Sequence, residues 1–271
     1  MKPSTHKGLR IPHWHTRGVI FRCSFPESLC GRGQMATGIY IDGLNLYYGA
    51  LRGSPNKWLD LEKFARILLP NDEIAFIRYF SAKVNSRYGE TGNVARQAAY
   101  FRAVQENPLV RMTLGYVKRK ERLLPIAESR RLPHELFVPL IEPIQQFDEM
   151  WQRHIINRNR PFTCARISID EEKGTDVNLA AHLINDAHEK TITKALVISN
   201  DGDFREAILL TRQTGIPVGV CSAWEHSANR QLKEVMSFEI RLRPDSLTKC
   251  HLPQTIQLAN GRHVSRPKEW A

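Results

Sequence analysis

Four aspartates, Asp42, Asp176, Asp201 and Asp203, stand just past apolar runs or at the mouths of helical patterns. Carboxylates collected at the strand ends of an α/β sheet repel one another unless a cation lies among them. Two of them about 4 Å apart repel by roughly 4 kcal/mol at an effective dielectric near 20. Four crowded together therefore take up protons or bind a divalent ion. Oxygen-only ligation suits Mg2+ or Mn2+ and disfavours zinc. Such an ion can activate water and stabilise charge on a leaving oxygen, so the chemistry expected is metal-dependent hydrolysis of a phosphodiester.

Each acid also has an ordinary reading. Asp42-Gly43 alone is a turn dipeptide. Asp176 alone is a first-turn helix acid, where the helix dipole favours a carboxylate. Asp201-Gly202-Asp203 alone is a loop in which Asp203 caps the helix that follows. Only their joint occurrence at several element ends of one chain points to a site.

The elements that must position them can be read from periodicity. Gly38–Ile41 is a short apolar strand that ends at Asp42. Leu61, Phe64, Ala65, Leu68 and Leu69 have helical spacing within Leu59–Leu69, and Pro70 stops that helix. Ile74–Phe80 reads as a strand, Val94–Gln105 as a helix, and Val110–Val117 as a strand running into Lys118-Arg119-Lys120. Residues 121–165 contain Pro125, Pro133, Pro139 and Pro143, with a helical pattern near Ile144–Ile156, and read as an insertion or long connection. Arg166–Asp170 is a short extended piece. Thr175 caps a helix to about His188, with Val177, Ala180, Leu183, Ile184 and Ala187 on its inner face. Ala195–Ser199 is the clearest strand, followed by a helix at Phe204–Thr214, a strand at Pro217–Cys221, a helix at Ser227–Met236 and a strand at Phe238–Leu242. This alternation predicts an α/β fold with a mostly parallel sheet covered on both faces. Such sheets bind ligands beyond the carboxyl ends of their strands, where strand order reverses. Asp42 and the pair Asp201 and Asp203 can meet there although they are far apart in sequence.

Three blocks carry a family resemblance: I-Y-I-D-G-L-N-L-Y at 39–47, K-G-T-D-V-N-L-A at 173–180 and S-N-D-G-D-F at 199–204. Together they resemble the signature blocks of the NYN domain, in the LabA-like branch of the PIN-like nucleases, over roughly residues 36–245. The resemblance implies a three-layer α/β/α PIN-like sandwich and a Mg2+- or Mn2+-dependent endoribonuclease. It implies Asp42, Asp176 and Asp201 as metal ligands, with Asp203 as a fourth acid binding directly or through water. Asn45 would hold a water or a phosphate oxygen, or else cap the helix that follows. Lys173 and Asn178 would contact phosphate, although a lysine in such a loop is more often just a solvated charge.

Composition agrees with a polyanionic partner. The 271 residues carry a formal net charge of +11, which favours nucleic acid. Residues 1–35 hold six Lys/Arg against one Glu, and residues 118–131 six against two. Lys118, Arg119 and Lys120, with Arg122, Arg130 and Arg131, are expected to steer an RNA backbone towards the acids; DNA is not excluded. Trp224 offers a ring for packing or for stacking a base. No stretch has the length of a membrane span. Five cysteines, none in C-x-x-C spacing, suggest free thiols and a cytoplasmic location. Residues 1–35 lack periodicity and read as a disordered or mis-assigned extension, with Met35 the expected native start; residues 246–271 read as a basic flexible tail. Two rivals stay open. One is a module that binds RNA or recruits partners without cutting. The other is a small-molecule phosphohydrolase, although an aspartyl-phosphate mechanism needs an acid where Leu44 stands.

Overall fold

The computed structural model describes residues 36–84, 91–125, 164–223 and 227–270. The N-terminal extension, the helical pattern at 144–156, Arg130, Arg131 and Trp224 lie outside them.

Strand β1 (Ala36–Asp42) explains the layering. Ile39 and Ile41 point to one face and Tyr40 to the other, and all three are fully buried. A strand buried on both faces needs a cover on each. On the Ile39 side lie α2 (Leu61–Leu68) and α3 (Thr91–Gln105), which contribute Phe64, Tyr100 and Phe101. On the Tyr40 side lie α4 (Thr175–His188), α5 (Arg205–Gln213) and α6 (Arg230–Lys233), which contribute Leu179, Leu183, Ile208 and Leu232. Between them runs a seven-stranded sheet of order β4-β3-β2-β1-β5-β6-β7. Here β2 is Glu73–Ala82, β3 Val110–Pro125, β4 Cys164–Lys173, β5 Lys194–Ile198, β6 Val218–Ser222 and β7 Phe238–Arg241. All neighbours pair in parallel except β3 and β4. The expected α/β fold with a mostly parallel sheet is therefore present, and strand order reverses between β1 and β5.

The structure departs from the sequence reading in four places. First, β3 does not stop near Val117. It leaves β2 at the Ala82–Gly115 pair and continues to Pro125, antiparallel to β4 from Tyr116 opposite Lys173 to Pro125 opposite Cys164. The expected insertion thus begins as a two-stranded arm that projects past the carboxyl edge of the sheet. Second, Thr175 does not cap α4. Gly174 holds the cap position with φ +90, a left-handed conformation that glycine adopts without penalty. Third, Val177 is 72% exposed, and the inner stripe of α4 is Leu179, Leu183 and Ala187.

Fourth, the carboxyl-terminal segment is folded rather than loose. It carries α7 (Pro244–Thr248) and a hairpin of β8 (Thr255–Gln257) and β9 (His263–Ser265). Leu247, Cys250, Leu258 and Val264 are buried in the α2/α3 core. The fully buried Trp58 donates its indole N–H to the Pro253 carbonyl at 2.8 Å, and Trp270 packs on Trp58 and Tyr100. The described residues accordingly group as one compact unit.

A buried polar clamp ties α4 to the sheet. Asp186 accepts hydrogen bonds from Tyr40 Oη at 2.7 Å and from Arg78 Nε and Nη2 at 2.6 and 2.7 Å. Burial, then the Asp186 charge, raises the Tyr40 phenol far above its ordinary pKa, so it remains a donor.

Candidate active site

Asp42 ends β1 and caps α1 (Gly43–Leu46), accepting the Asn45 amide at 2.9 Å. The Asp-Gly pair is therefore a strand-to-helix junction, not a turn. A Cβ on Gly43 would come within 2.6–2.7 Å of the Tyr79 ring and the Phe80 carbonyl oxygen. The other Asp42 oxygen accepts the Ser199 hydroxyl at 3.0 Å, and that hydroxyl in turn accepts the Asp201 amide at 3.1 Å. Asp42 is only 4% exposed. Burial raises its pKa against the opposing pull of its hydrogen-bond donors, Asn45 and Ser199 foremost, and the charge of Asp201 raises it further.

The loop after β5 is laced by side-chain amides. Asn45 Oδ1 accepts the Asn200 amide at 3.2 Å, and Asn200 Oδ1 accepts the Asn229 amide at 2.6 Å. Asp201 caps the short turn Gly202–Phe204 by accepting the Asp203 amide at 3.0 Å. Asp203 is exposed. Asn45 lies inside α1, whose cap is Asp42, so it does not cap that helix; its side-chain oxygen instead reaches across to the acidic loop.

Asp176 reports the convergence. Its pKa is pushed up to about 6, by partial burial first and then by the charges of Asp42, Glu172, Asp201 and Asp203. The helix-end dipole expected to favour its charge is outweighed. Glu172 was absent from the sequence reading. Its Oε1 accepts the amide and the hydroxyl of Thr175, so it braces the start of α4 while adding a fifth negative charge. An acid three residues before a helix, in E-E-K-G-T-D, was the available signal.

The expected phosphate contacts divide. Asn178 lies one turn into α4, with its amide donating to the Gly174 carbonyl at 2.9 Å. Lys118, Arg119 and Lys120 lie on the arm instead, with Lys118 in register with Glu171 and Arg119 with Asp170. Glu171 gathers Lys120 at 2.9 Å, Lys173 at 3.2 Å and Arg122. The Lys120 and Lys173 hydrogen bonds hold its pKa down to about 2. Part of the basic stretch is thus internally neutralised.

Among the described residues, no three His, Cys, Asp or Glu side chains are drawn together tightly enough to enclose an ion. By type, the donors would suit a hard divalent cation: they are all oxygen, they lie at the strand-order reversal, and the charge of Asp201 raises the pKa of both Asp42 and Asp176. A cleft lined by Ala187, Lys190, Ile192 and Gly215 lies at the opposite edge of the sheet and includes none of these acids.

Residues 116–240 match the model of the NYN domain. That span includes the blocks around Asp176 and Asp201 and stops short of the block around Asp42. The match makes that span similar to the NYN domain, and the mostly parallel seven-stranded sheet is consistent with the PIN-like fold of that family. Two particular proteins are similar. The 6-hydroxy-3-succinoylpyridine 3-monooxygenase HspA of Pseudomonas putida is 28% identical over 261 residues, covering 87% of this chain and 75% of that protein. A protein of unknown function from Vibrio parahaemolyticus, VPA0982, matches in structure with a TM-score of 0.41 and 14% identity, covering 78% of this chain and 95% of that one. Among the described residues, no helix is long and apolar enough to cross a membrane.

Proposed function

We propose that this chain is a cytoplasmic, Mg2+- or Mn2+-dependent endoribonuclease of the LabA-like kind, hydrolysing RNA to 5′-phosphate and 3′-hydroxyl ends. The observation that carries this reading is the gathering of Asp42 and Asp201 about Ser199 at the strand-order reversal, near enough to Asp176 that their charges raise its pKa. Asp42, Asp176 and Asp201 would hold the ion, with Asp203 at the exposed rim. When bound, the ion would activate water towards phosphorus and offset charge on the leaving oxygen. Ser199 and Asn45 fix the separation of β1 from the β5 loop, so the acids keep their spacing as substrate arrives. Lys118, Arg119, Lys120 and Lys173, on the arm above the same edge, would draw the RNA backbone in, and Asn178 would contact it from the start of α4. The buried thiols Cys221 and Cys250, both unpaired, are in keeping with a reducing compartment.

The test is incubation with RNA and DNA oligonucleotides in Mg2+, Mn2+ or chelator, with product ends mapped. Expected is metal-dependent RNA cleavage that Asp201→Asn abolishes without unfolding; retained cleavage in that variant would remove the site. RNA binding indifferent to chelator, with no product, would favour a recruitment module. Turnover of a simple phosphate ester without RNA cleavage would favour a small-molecule phosphohydrolase.

A second reading comes from the similarity to HspA across most of the chain. Under it, the same edge would oxygenate a hydroxylated pyridine, consuming dioxygen and an added reductant. Oxygen uptake dependent on such a pyridine, in the absence of RNA cleavage, would establish this reading over the first.

A further inference from the structure

We propose that Tyr47, Tyr48 and Tyr116 form a stacking rim that receives the unpaired bases of single-stranded RNA beside the aspartates, a proposal that rests on the nuclease reading. They are the large aromatic side chains exposed among the described residues, at 37%, 52% and 64%. All three stand at the carboxyl edge of the sheet.

Tyr47 and Tyr48 follow α1 in a turn of π-helical winding, Tyr47–Leu51. Their exposure does not come from loose packing. Leu46 and Leu51 on either side are buried, and Gly49 lies against the Ala223 backbone. Asn45 and Tyr48 are three residues apart and so share one side of the helix. Asn45 reaches the Asn200 amide, next to Asp201, which sets the tyrosines at the border of the acidic loop. The two rings meet edge to face at 5.3 Å, and the Arg52 guanidinium lies 5.5 Å from the Tyr48 ring centre. Tyr116 stands on the other side, at the root of the arm and opposite Lys173. Its neighbour Gly115 packs under Thr175 and Glu172 at the start of the helix that carries Asp176.

Aromatic rings rimming a cleft, with cations alongside and a net charge of +11, complement a strand that offers flat bases and phosphates together. An apolar protein partner would leave the adjoining carboxylates and arginine unpaired. A duplex hides its base faces, so the rim selects single strands.

The test is fluorescence anisotropy of a labelled single-stranded RNA, and of its duplex, in chelator so that no cleavage intervenes. Tyr48→Ala, Tyr47→Ala and Tyr116→Ala are each expected to weaken single-strand binding about tenfold, as loss of one stacked base would. The factor should persist when salt is raised, Tyr48→Phe should restore binding, and duplex binding should barely change. Unchanged single-strand affinity in the alanine variants would overturn the rim. So would affinity lost only for a free hydroxypyridine probe, which would assign the rings to a small heterocycle. Wild-type protein that binds single strands through these tyrosines but cuts nothing would sink the nuclease reading alone. Cleavage with fully retained binding in the variants would sink the rim alone.

Discussion

Asp42 and Ser199 meet across the β1–β5 boundary at 3.0 Å, in a contact excluded from solvent, and the same hydroxyl accepts the amide of Asp201. One side chain therefore sets both the orientation of the most buried acid and the position of the next. Ser199→Ala would leave a buried carboxylate one donor short, which costs about 1–3 kcal/mol. The melting temperature should fall by several degrees, and cleavage by at least about tenfold, one unit of log rate per ~1.4 kcal/mol. Calorimetry and a cleavage time course check both; an unaltered melting temperature would deny Ser199 this bridging role.

Asp176 predicts a pH signature. Its folded pKa of about 6 lies above the ordinary value of 3.8. Between those values the folded protein binds more protons than the unfolded chain. The stability it contributes is full below the lower value and lost as pH rises through the upper one. Without metal, thermal stability should thus decline between about pH 4 and pH 6.5, by about 1–2 kcal/mol after allowing for the group's partial exposure. Asp176→Asn should flatten this limb, and Mn2+ should stabilise the wild type increasingly over the same interval. Thermal scans across pH in chelator and in Mn2+ decide it, and a flat wild-type profile would refute it.

The same residues show what could be read from sequence. Ala195–Ser199 is recognisable because a strand buried on both faces must be apolar throughout. The meeting of Asp42 with the β5 loop follows from where parallel sheets reverse their order. The arm is harder. From Lys118 to Arg122, β3 is a charged run, so its strand character there depends on cross-strand partners such as Glu171 that only pairing reveals. The carboxyl-terminal segment is harder still. Leu247, Cys250, Leu258 and Val264 are scattered among polar residues, and each is buried against residues distant in sequence. Val177 fits the helical stripe by spacing alone, yet it sits in the first turn of α4, beside the acids at the open edge of the sheet.

Glu171 makes the arm adjustable. It pairs with Lys120, Arg122 and Lys173 together, withdrawing positive charge that would otherwise face a polyanion. Glu171→Gln should tighten RNA binding at low salt and steepen its dependence on salt. Lys118→Ala should do the reverse, lowering the slope of log affinity against log salt by about one phosphate contact. Salt titrations with single-stranded RNA separate these outcomes, and parallel slopes in all three proteins would exclude the arm from the RNA path.

The clamp of Arg78 and Tyr40 on Asp186 gives the strongest expectation for stability. Arg78 and Asp186 are 14% and 4% exposed at the side chain, and both Asp186 oxygens are engaged. Removing one partner strands a buried charge, so Arg78→Met or Asp186→Leu should cost about 3–5 kcal/mol. Tyr40→Phe removes one hydrogen bond to a carboxylate and should cost about 1.5–3 kcal/mol. The double variant Arg78→Met with Asp186→Leu should be less destabilised than the sum of its singles, because no unpaired charge remains. Asp186 lies on the helix whose first turn carries Asp176, so the single variants should also loosen Mn2+ binding while the double restores part of it. Chemical denaturation of the four proteins, with Mn2+ affinity measured alongside, tests the argument. Additive losses would mean that the pair acts as two independent contacts rather than as a clamp.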